Sequence, residues 1–591
     1  MSLQTLNDIL FAVCGNRRDR VMLQRGALGW APISSTEVYR GVVGIARTLE
    51  AWGVRKGDRV AILSENRPEW TITDFAVLAL GAITVPIYAT QTAEHIAFIL
   101  NNSGARVIAV STKNQLEKVL AIQQQTSLER ILVMDPVETA THTVQMQELM
   151  LQGPTDFDPE FDARSQSIVP DDLATIIYTS GTTGTPKGAM LTHGNMASNI
   201  ACSMEAFDFG KHEEVSVSFL PLSHVTARHV DFALLYRGVV LAYCADIAQL
   251  AKTLTEVQPA IFIGVPRVYE KIRRQVIVKT AGFPKSAAYR WALSVGRAHR
   301  AETLAGIQPT TLAWKIADRL LFSKVRDAMG GKAEEFISGG APLGLELAEW
   351  FADIGIPIHE GYGLTETSPV IAVNTPAAHK LGTVGKPLAN LEVRIADDGE
   401  VLVRGPSIFK GYWNRPEETQ AAFVDGWFKT GDIGYLDNEG FLSITDRKKD
   451  LIKTSGGKFI APQPIENSLK VNPLIGTAVV FGDRRKFPAV LIAPHFPALE
   501  DWARENDVDF ASREELVANA KVQELYEGII EDLNQNLARF EKLKRVLLVP
   551  EELSAADGTL THTFKVRRRG IEERYRTQID EMYAKAETAG G

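Results

Sequence analysis

The 591 residues carry 64 basic and 72 acidic side chains, a formal charge of −8, and 45% of them are hydrophobic. A chain of this length exceeds one hydrophobic core, so at least two domains are expected, and the acidic balance excludes a chain-wide basic surface for nucleic acid. Cys14, Cys202 and Cys244 are widely spaced and odd in number, which argues against a disulfide framework or a zinc site and fits a reducing, cytoplasmic compartment.

The first residues lack the basic and apolar regions of a secretory leader. A helical pattern over 35–52, a strand at 59–63, a strand within 81–88, a helix from Thr92 and a strand at 106–110 alternate in the manner of α/β layers on a largely parallel sheet. The most apolar window, Phe75 to Ala89, is interrupted by Gly81 and Pro86 and falls short of the roughly 20 residues that span a bilayer. It predicts a buried helix and strand, and leaves peripheral membrane contact through surface patches open. Residues 115–171 read as less regular.

Leu173 to Tyr178 has strand composition and runs into Thr179-Ser180-Gly181-Thr182-Thr183-Gly184-Thr185-Pro186-Lys187-Gly188. Glycines allow backbone N–H groups close to an anion, hydroxyls donate further hydrogen bonds and Lys187 adds positive charge, so the loop suits phosphate. A Walker A loop is disfavoured because Lys187 follows proline and precedes glycine.

Next come a helix at 195–206, a strand at 215–220, and Pro221-Leu-Ser-His224-Val-Thr-Ala-Arg228. Residues 266–330 read as a helical hairpin interrupted at 306–309. Strands then lead into two glycine-rich turns, Ser338-Gly-Gly340-Ala341 and Glu360-Gly361-Tyr362-Gly-Leu-Thr365-Glu366. Short strands over 390–444 with Asp-Gly and Glu-Gly turns indicate a β-rich subdomain. The charged run Asp446 to Asp450 marks a boundary. Beyond it, strands at 475–481 and 489–493, helix over 513–540 and a strand at 545–549 precede Leu560-Thr-His-Thr-Phe-Lys565. The last dozen residues are expected to fray.

The phosphate loop, Gly361 to Glu366, Lys429-Thr-Gly-Asp432, Asp446-Arg447-Lys-Lys449-Asp-Leu-Ile-Lys453 and Lys565 follow one another in the order used by the adenylate-forming superfamily. The resemblance covers Arg59 to the C-terminus. Val265-Pro-Arg-Val-Tyr-Glu-Lys, the segment ending Lys324-Val-Arg-Asp-Ala-Met-Gly-Gly and Leu220-Pro-Leu-Ser-His224 look most like bacterial long-chain fatty-acid:CoA ligases.

The resemblance implies an α/β N-terminal adenylation domain of layered subdomains plus the β-rich subdomain (1–446). It also implies a hinge region (447–453) centred on Lys449 and a small, mobile α+β lid domain (454–591). It implies ATP, Mg²⁺ and coenzyme A. A medium- to long-chain fatty acid would be activated to acyl-AMP, then passed to coenzyme A. Thr179, Ser180, Gly181, Thr182 and Thr183 would cradle the β- and γ-phosphates, Gly184 and Lys187 would also bind ATP, Thr365 would contact the α-phosphate and Glu366 would hold the metal. Tyr362 would stack on adenine in a pocket lined by Gly340, Ala341, Glu360 and Gly361; Asp432, supported by Arg447, would accept from the ribose. Lys565 would bridge acyl carboxylate and α-phosphate, Lys453 would add an ATP contact, and His224 would belong to the acyl site. Gly456, Gly457 and Lys458 would face coenzyme A in the second half-reaction.

Taken singly, Tyr362 reads equally as a core aromatic, Asp432 as a turn residue and Lys565 as a solvated charge. Arg228 stands where one long-chain pattern has a tryptophan gate, and reads as a group that greets the incoming carboxylate or as a surface charge. His562 replaces the proline usual before the lysine. A fatty-acyl-AMP ligase that loads a carrier protein and a silent nucleotide sensor are the alternatives to the ligase.

Overall fold

The computed structural model describes residues 3–137, 142–179, 186–207, 209–210, 214–456, 458–554, 557–560 and 566–589. Two large mixed sheets dominate. One orders its strands Lys386–Pro387, Val370–Val373, Ile358–Gly363, Glu335–Ser338, Ile261–Gly264, Val215–Ser218, Val240–Tyr243, Met22–Gly26 and Gly29–Ile33, with a parallel centre. The other runs Gly411–Tyr412, Lys187–Thr192, Leu173–Thr179, Ile83–Ile87, Arg59–Leu63, Val107–Val110, Arg130–Val133 and Thr143–Gln145. Strand–helix–strand crossovers place helices on their faces, which is why the parallel strands are buried along nearly their whole length. A five-stranded antiparallel sheet built on Trp427–Leu436 follows.

The α/β alternation expected before residue 110 is present element by element, including the buried helix Pro68–Ala79 and strand Ile83–Ile87. Residues 115–171 are more regular than their sequence suggests. Helices Lys113–Ile122, Met146–Gln152 and Pro159–Gln166 occur there, the last opened by Pro159 and by Asp158, whose carboxylate accepts from two first-turn N–H groups. The C-terminal region has its own buried apolar clusters, drawn from Ile452 onward. Its helical run ends at Asn534, short of the expected residue 540, and a further helix spans Arg576–Ala589.

The two large sheets are tied together by charge. Helix Pro68–Ala79 belongs to one sheet and Val225–Tyr236 to the other. Between them Arg228 donates to both oxygens of Asp74, each at 2.7 Å, while Thr84 Oγ1 donates to Oδ1 at 2.6 Å. Arg228 is 1% exposed and its guanidinium lies 5.5 Å from the Phe232 ring centroid. It is therefore not a surface charge, and Asp74 already takes its Nε and Nη2, while its Nη1 is buried without a hydrogen-bond partner among the described residues.

Removing one partner strands the other charge in an apolar interior. Asp74→Ala is expected to lower stability by about 3–5 kcal/mol. Arg228→Met added to Asp74→Ala should cost less than the sum of the single changes. Urea unfolding of the four proteins of this double-mutant cycle measures the coupling.

Candidate active site

The site forms where strand ends meet. Glu335–Ser338 and Ile358–Gly363 are parallel neighbours, with Ser338 opposite Glu360, so their carboxyl ends deliver Gly340-Ala341 and Gly361-Tyr362 side by side. Gly340 has φ +82°, a left-handed conformation that favours glycine. Glu360 turns inward and accepts from the Leu343 N–H at 3.1 Å, pinning the turn that carries Gly340 and Ala341. Burial pushes its carboxyl up to about 7.

Tyr362, Asp432 and Arg447 come together. The Tyr362 hydroxyl donates to Asp432 Oδ2 at 2.7 Å, and Arg447 Nε lies 3.2 Å from Oδ1. Asp432 and Arg447 are direct cross-strand partners, which explains how residues fifteen apart share one contact. Burial, then the neighbouring Asp432 charge, holds the Tyr362 phenol well above its ordinary range. Asp432 is thus more than a turn residue.

After Tyr362 the chain doubles back. A Cβ at Gly363 would lie 1.8 Å from the Pro369 carbonyl oxygen, so only glycine permits the turn that presents Thr365 and Glu366. Thr365 is buried and Glu366 half-buried. Glu366 Oε1 accepts from the Tyr412 hydroxyl at 2.8 Å. Tyr412 lies on the edge strand paired with Lys187–Thr192, and the Lys187 ammonium sits 5.3 Å from its ring centroid. Lys187 in turn pairs with Thr179, where the buried strand ends. One tyrosine therefore joins the Glu366 turn to the base of the glycine-rich loop. Nothing in the spacing of Lys410-Gly-Tyr-Trp signalled this role; it is visible only once the edge strand is placed.

Ser180, Gly181, Thr182, Thr183, Gly184, Gly457 and Lys565 lie outside the described residues. His224 is the N-cap of Val225–Tyr236, its Nδ1 accepting from the Thr226 N–H at 3.2 Å. Lys449 is exposed in the turn after Leu442–Arg447. Gly456 and Lys458 occupy the turn between Ile452–Lys453 and Phe459–Ile460. The Lys453 and Lys458 ammonium groups lie against the rings of Phe459 and Phe540, at 5.3 and 6.0 Å.

Among the described residues no group of three or more His, Cys, Asp or Glu side chains could hold a metal. A single half-buried carboxylate, Glu366, fits Mg²⁺ bound together with phosphate oxygens, the arrangement this hard, hydrated cation favours.

Residues 10–413 match the family described as AMP-binding enzyme, and residues 449–587 match AMP-binding enzyme C-terminal domain. Over 580 residues, 96% of this chain and 95% of the relative, the sequence is 37% identical to long-chain-fatty-acid–CoA ligase FadD15 of Mycobacterium bovis. It is 32% identical to the peroxisomal long chain acyl-CoA synthetase 7 of Arabidopsis thaliana, covering 95% and 82% of the two chains. The fold is shared with the adenylation domain of a carboxylate reductase from Mycobacterium chelonae, with TM-score 0.76, 22% identity and coverage of 98% and 91%.

Burial of Glu360 makes stability depend on pH. Its carboxyl ordinarily titrates at 4.5 and here at about 7, so between those values the folded chain holds a proton that the unfolded chain has released. Stability then falls as pH rises through about 7. Glu360→Gln should abolish this contribution: thermal unfolding of the wild type should lose more between pH 5 and 8 than that of the variant.

Proposed function

The chain belongs to the AMP-binding enzyme family, and from that premise we propose how it works as an ATP-dependent ligase that joins a medium- to long-chain fatty acid to coenzyme A. A carboxylate is a poor acyl donor. Its oxygen therefore first attacks the α-phosphorus of ATP, the bond to the pyrophosphate oxygen breaks, and acyl-AMP forms. The coenzyme A thiolate then attacks the acyl carbon and AMP leaves.

The difficulty of the first step is the meeting of two anions, so cationic and hydrogen-bond-donating groups must be fixed beforehand. Bound at Glu366, Mg²⁺ supplies charge neutralisation to the phosphates. Tyr412 orients that carboxylate by donating to one oxygen, and Lys187 adds positive charge on the loop side. Thr179 to Gly184 cradle the outer phosphates and Thr365 the α-phosphate. Asp432, held by Tyr362 and Arg447, accepts from the ribose hydroxyls. The convergence of Glu366, Tyr412 and Lys187 from two sheets is the observation that carries this reading.

Lys565 is assigned to the carboxylate and α-phosphate, and has to enter and leave as the C-terminal region turns about Lys449. Arg568, half-buried on the same C-terminal region, pairs with the buried Glu466 at 2.7 Å. Asp446 bridges the hinge, its Oδ2 accepting from the Gln463 N–H at 3.0 Å.

Fatty-acid-dependent ATP–pyrophosphate exchange tests the first half-reaction, and its absence across acids from octanoate to palmitate would end this reading. Lys565→Ala should lower exchange by more than about 10²-fold, and a phosphopantetheinylated carrier offered in place of coenzyme A should not be acylated. Tyr412→Phe should raise the Mg²⁺ needed for half-maximal exchange about tenfold, the loss of one charge-assisted hydrogen bond. It should also weaken Mn²⁺–ATP binding measured by electron paramagnetic resonance, whereas a merely structural tyrosine would leave both unchanged.

A further inference from the structure

The helical hairpin has an outer face that its fold does not explain. The helix Leu312–Ala317 continues through the π-helical turn Asp318–Phe322 into Ser323–Ala328. Its inner face is buried in the ordinary way: Trp314 packs on Phe322, ring centroids 5.0 Å apart, and on His299 of the antiparallel helix Lys285–Leu304. A helix so anchored should show a polar outer face. Instead Leu312, Ile316 and Leu320, spaced four apart, are 74%, 44% and 48% exposed. Seven of the eighteen exposed large hydrophobic residues among the described residues fall in this hairpin. Phe283, 88% exposed, and Val278 are at its tip, and Trp291 is on the second helix.

The same segment is strongly basic. Residues 266–332 hold fourteen lysines and arginines against four acids, in a chain whose formal charge is −8. Lys315, Arg319 and Lys324 flank the apolar stripe, and Lys279 and Lys285 flank Phe283; all five are exposed. Long aliphatic stems ending in ammonium or guanidinium groups beside an apolar stripe match the boundary between acyl chains and anionic headgroups. A second copy of the chain would set like charge against like, and a nucleic acid would leave the leucine stripe in water. No helix among the described residues is long and apolar enough to cross a membrane, so the contact is peripheral.

We infer that the outer face of residues 278–324 docks on an anionic lipid bilayer, placing the enzyme on the phase in which its long-chain acid is dissolved. The inference rests on the long-chain reading of the substrate. Leu312, Ile316 and Leu320 enter the headgroup boundary, and the flanking cations meet lipid phosphates.

The full chain is mixed with phosphatidylcholine vesicles containing about one-third phosphatidylglycerol, an anionic content that gives a negative surface potential, and sedimented. The wild type should co-sediment at low salt, less so as salt rises, and little with phosphatidylcholine alone. Leu312→Glu combined with Leu320→Glu should reduce the bound fraction at least tenfold at every salt concentration. Lys315→Glu combined with Arg319→Glu should do so chiefly at low salt. Both variants should keep wild-type unfolding temperature and wild-type exchange with water-soluble octanoate. A wild type that stays in the supernatant, or variants that sediment like it, overturns the inference, as does a dimer in sedimentation velocity that Leu312→Glu dissolves. Retained octanoate exchange without vesicle binding sinks docking alone. Vesicle binding without exchange on any acid supports docking and removes the ligase reading.

Discussion

The two sheets can deliver their strand ends to one site only if they are fixed relative to each other, and Asp74 with Arg228 does this. A charge pair shut away from water gives up its hydration, and geometry restores part of it: two 2.7 Å bonds and a third donor from Thr84 leave little room for the helices to slide, although Arg228 Nη1 has no hydrogen-bond partner among the described residues. Asn66 adds a second tie near the same edge. Its amide donates to the Leu220 carbonyl at 2.7 Å and its oxygen accepts from the Leu222 N–H, which fixes the loop leading into His224. His224 is one helical turn before Arg228, so the ion pair also orients the helix that begins at this candidate acyl-site residue.

The site repeats the same logic with fewer charges. Asp432 uses one oxygen for Tyr362 and the other for Arg447, and Glu366 uses one oxygen for Tyr412, so the carboxylates are oriented before any nucleotide arrives. Orientation in advance lowers the reorganisation needed when phosphate charge enters. Lys187 and Arg447 are the cations within this cluster of contacts. Among the described residues these two cations, even with a divalent cation at Glu366, are a modest counterweight to a triphosphate and a carboxylate together, which is the physical reason for proposing a further cation, Lys565, at the moment of reaction.

Much of this was legible in the sequence because local chemistry repeats local form. The strand into the glycine-rich loop, the paired turns at Gly340 and Gly361, and the alternation before residue 110 each follow from periodicity and turn residues. Arg228 was misread because exposure is a tertiary property: a lone arginine beside an acyl-site motif gives no sign of an aspartate 154 positions earlier. Tyr412 was missed for the same reason, since its role comes from an edge strand of two residues. Residues 115–171 looked irregular because their helices are short, and short helices depend on capping and packing more than on a long apolar period.

Net charge concealed the most informative asymmetry. A formal charge of −8 averages a basic hairpin with a more acidic remainder, and only the fold shows that the basic residues share an outer surface with unpartnered leucines. The inner end of that hairpin touches the C-terminal region. Arg273 donates to the Val471 carbonyl at 3.2 Å and Arg274 to the Ile475 carbonyl at 3.1 Å. In these contacts the acceptors are carbonyls, neutral groups that hold a guanidinium less tightly than a carboxylate would. A contact of that kind can orient a domain and still release it, as the proposed turn about Lys449 requires. The hairpin therefore joins the outer face proposed to meet lipid to the C-terminal region proposed to carry the reacting lysine.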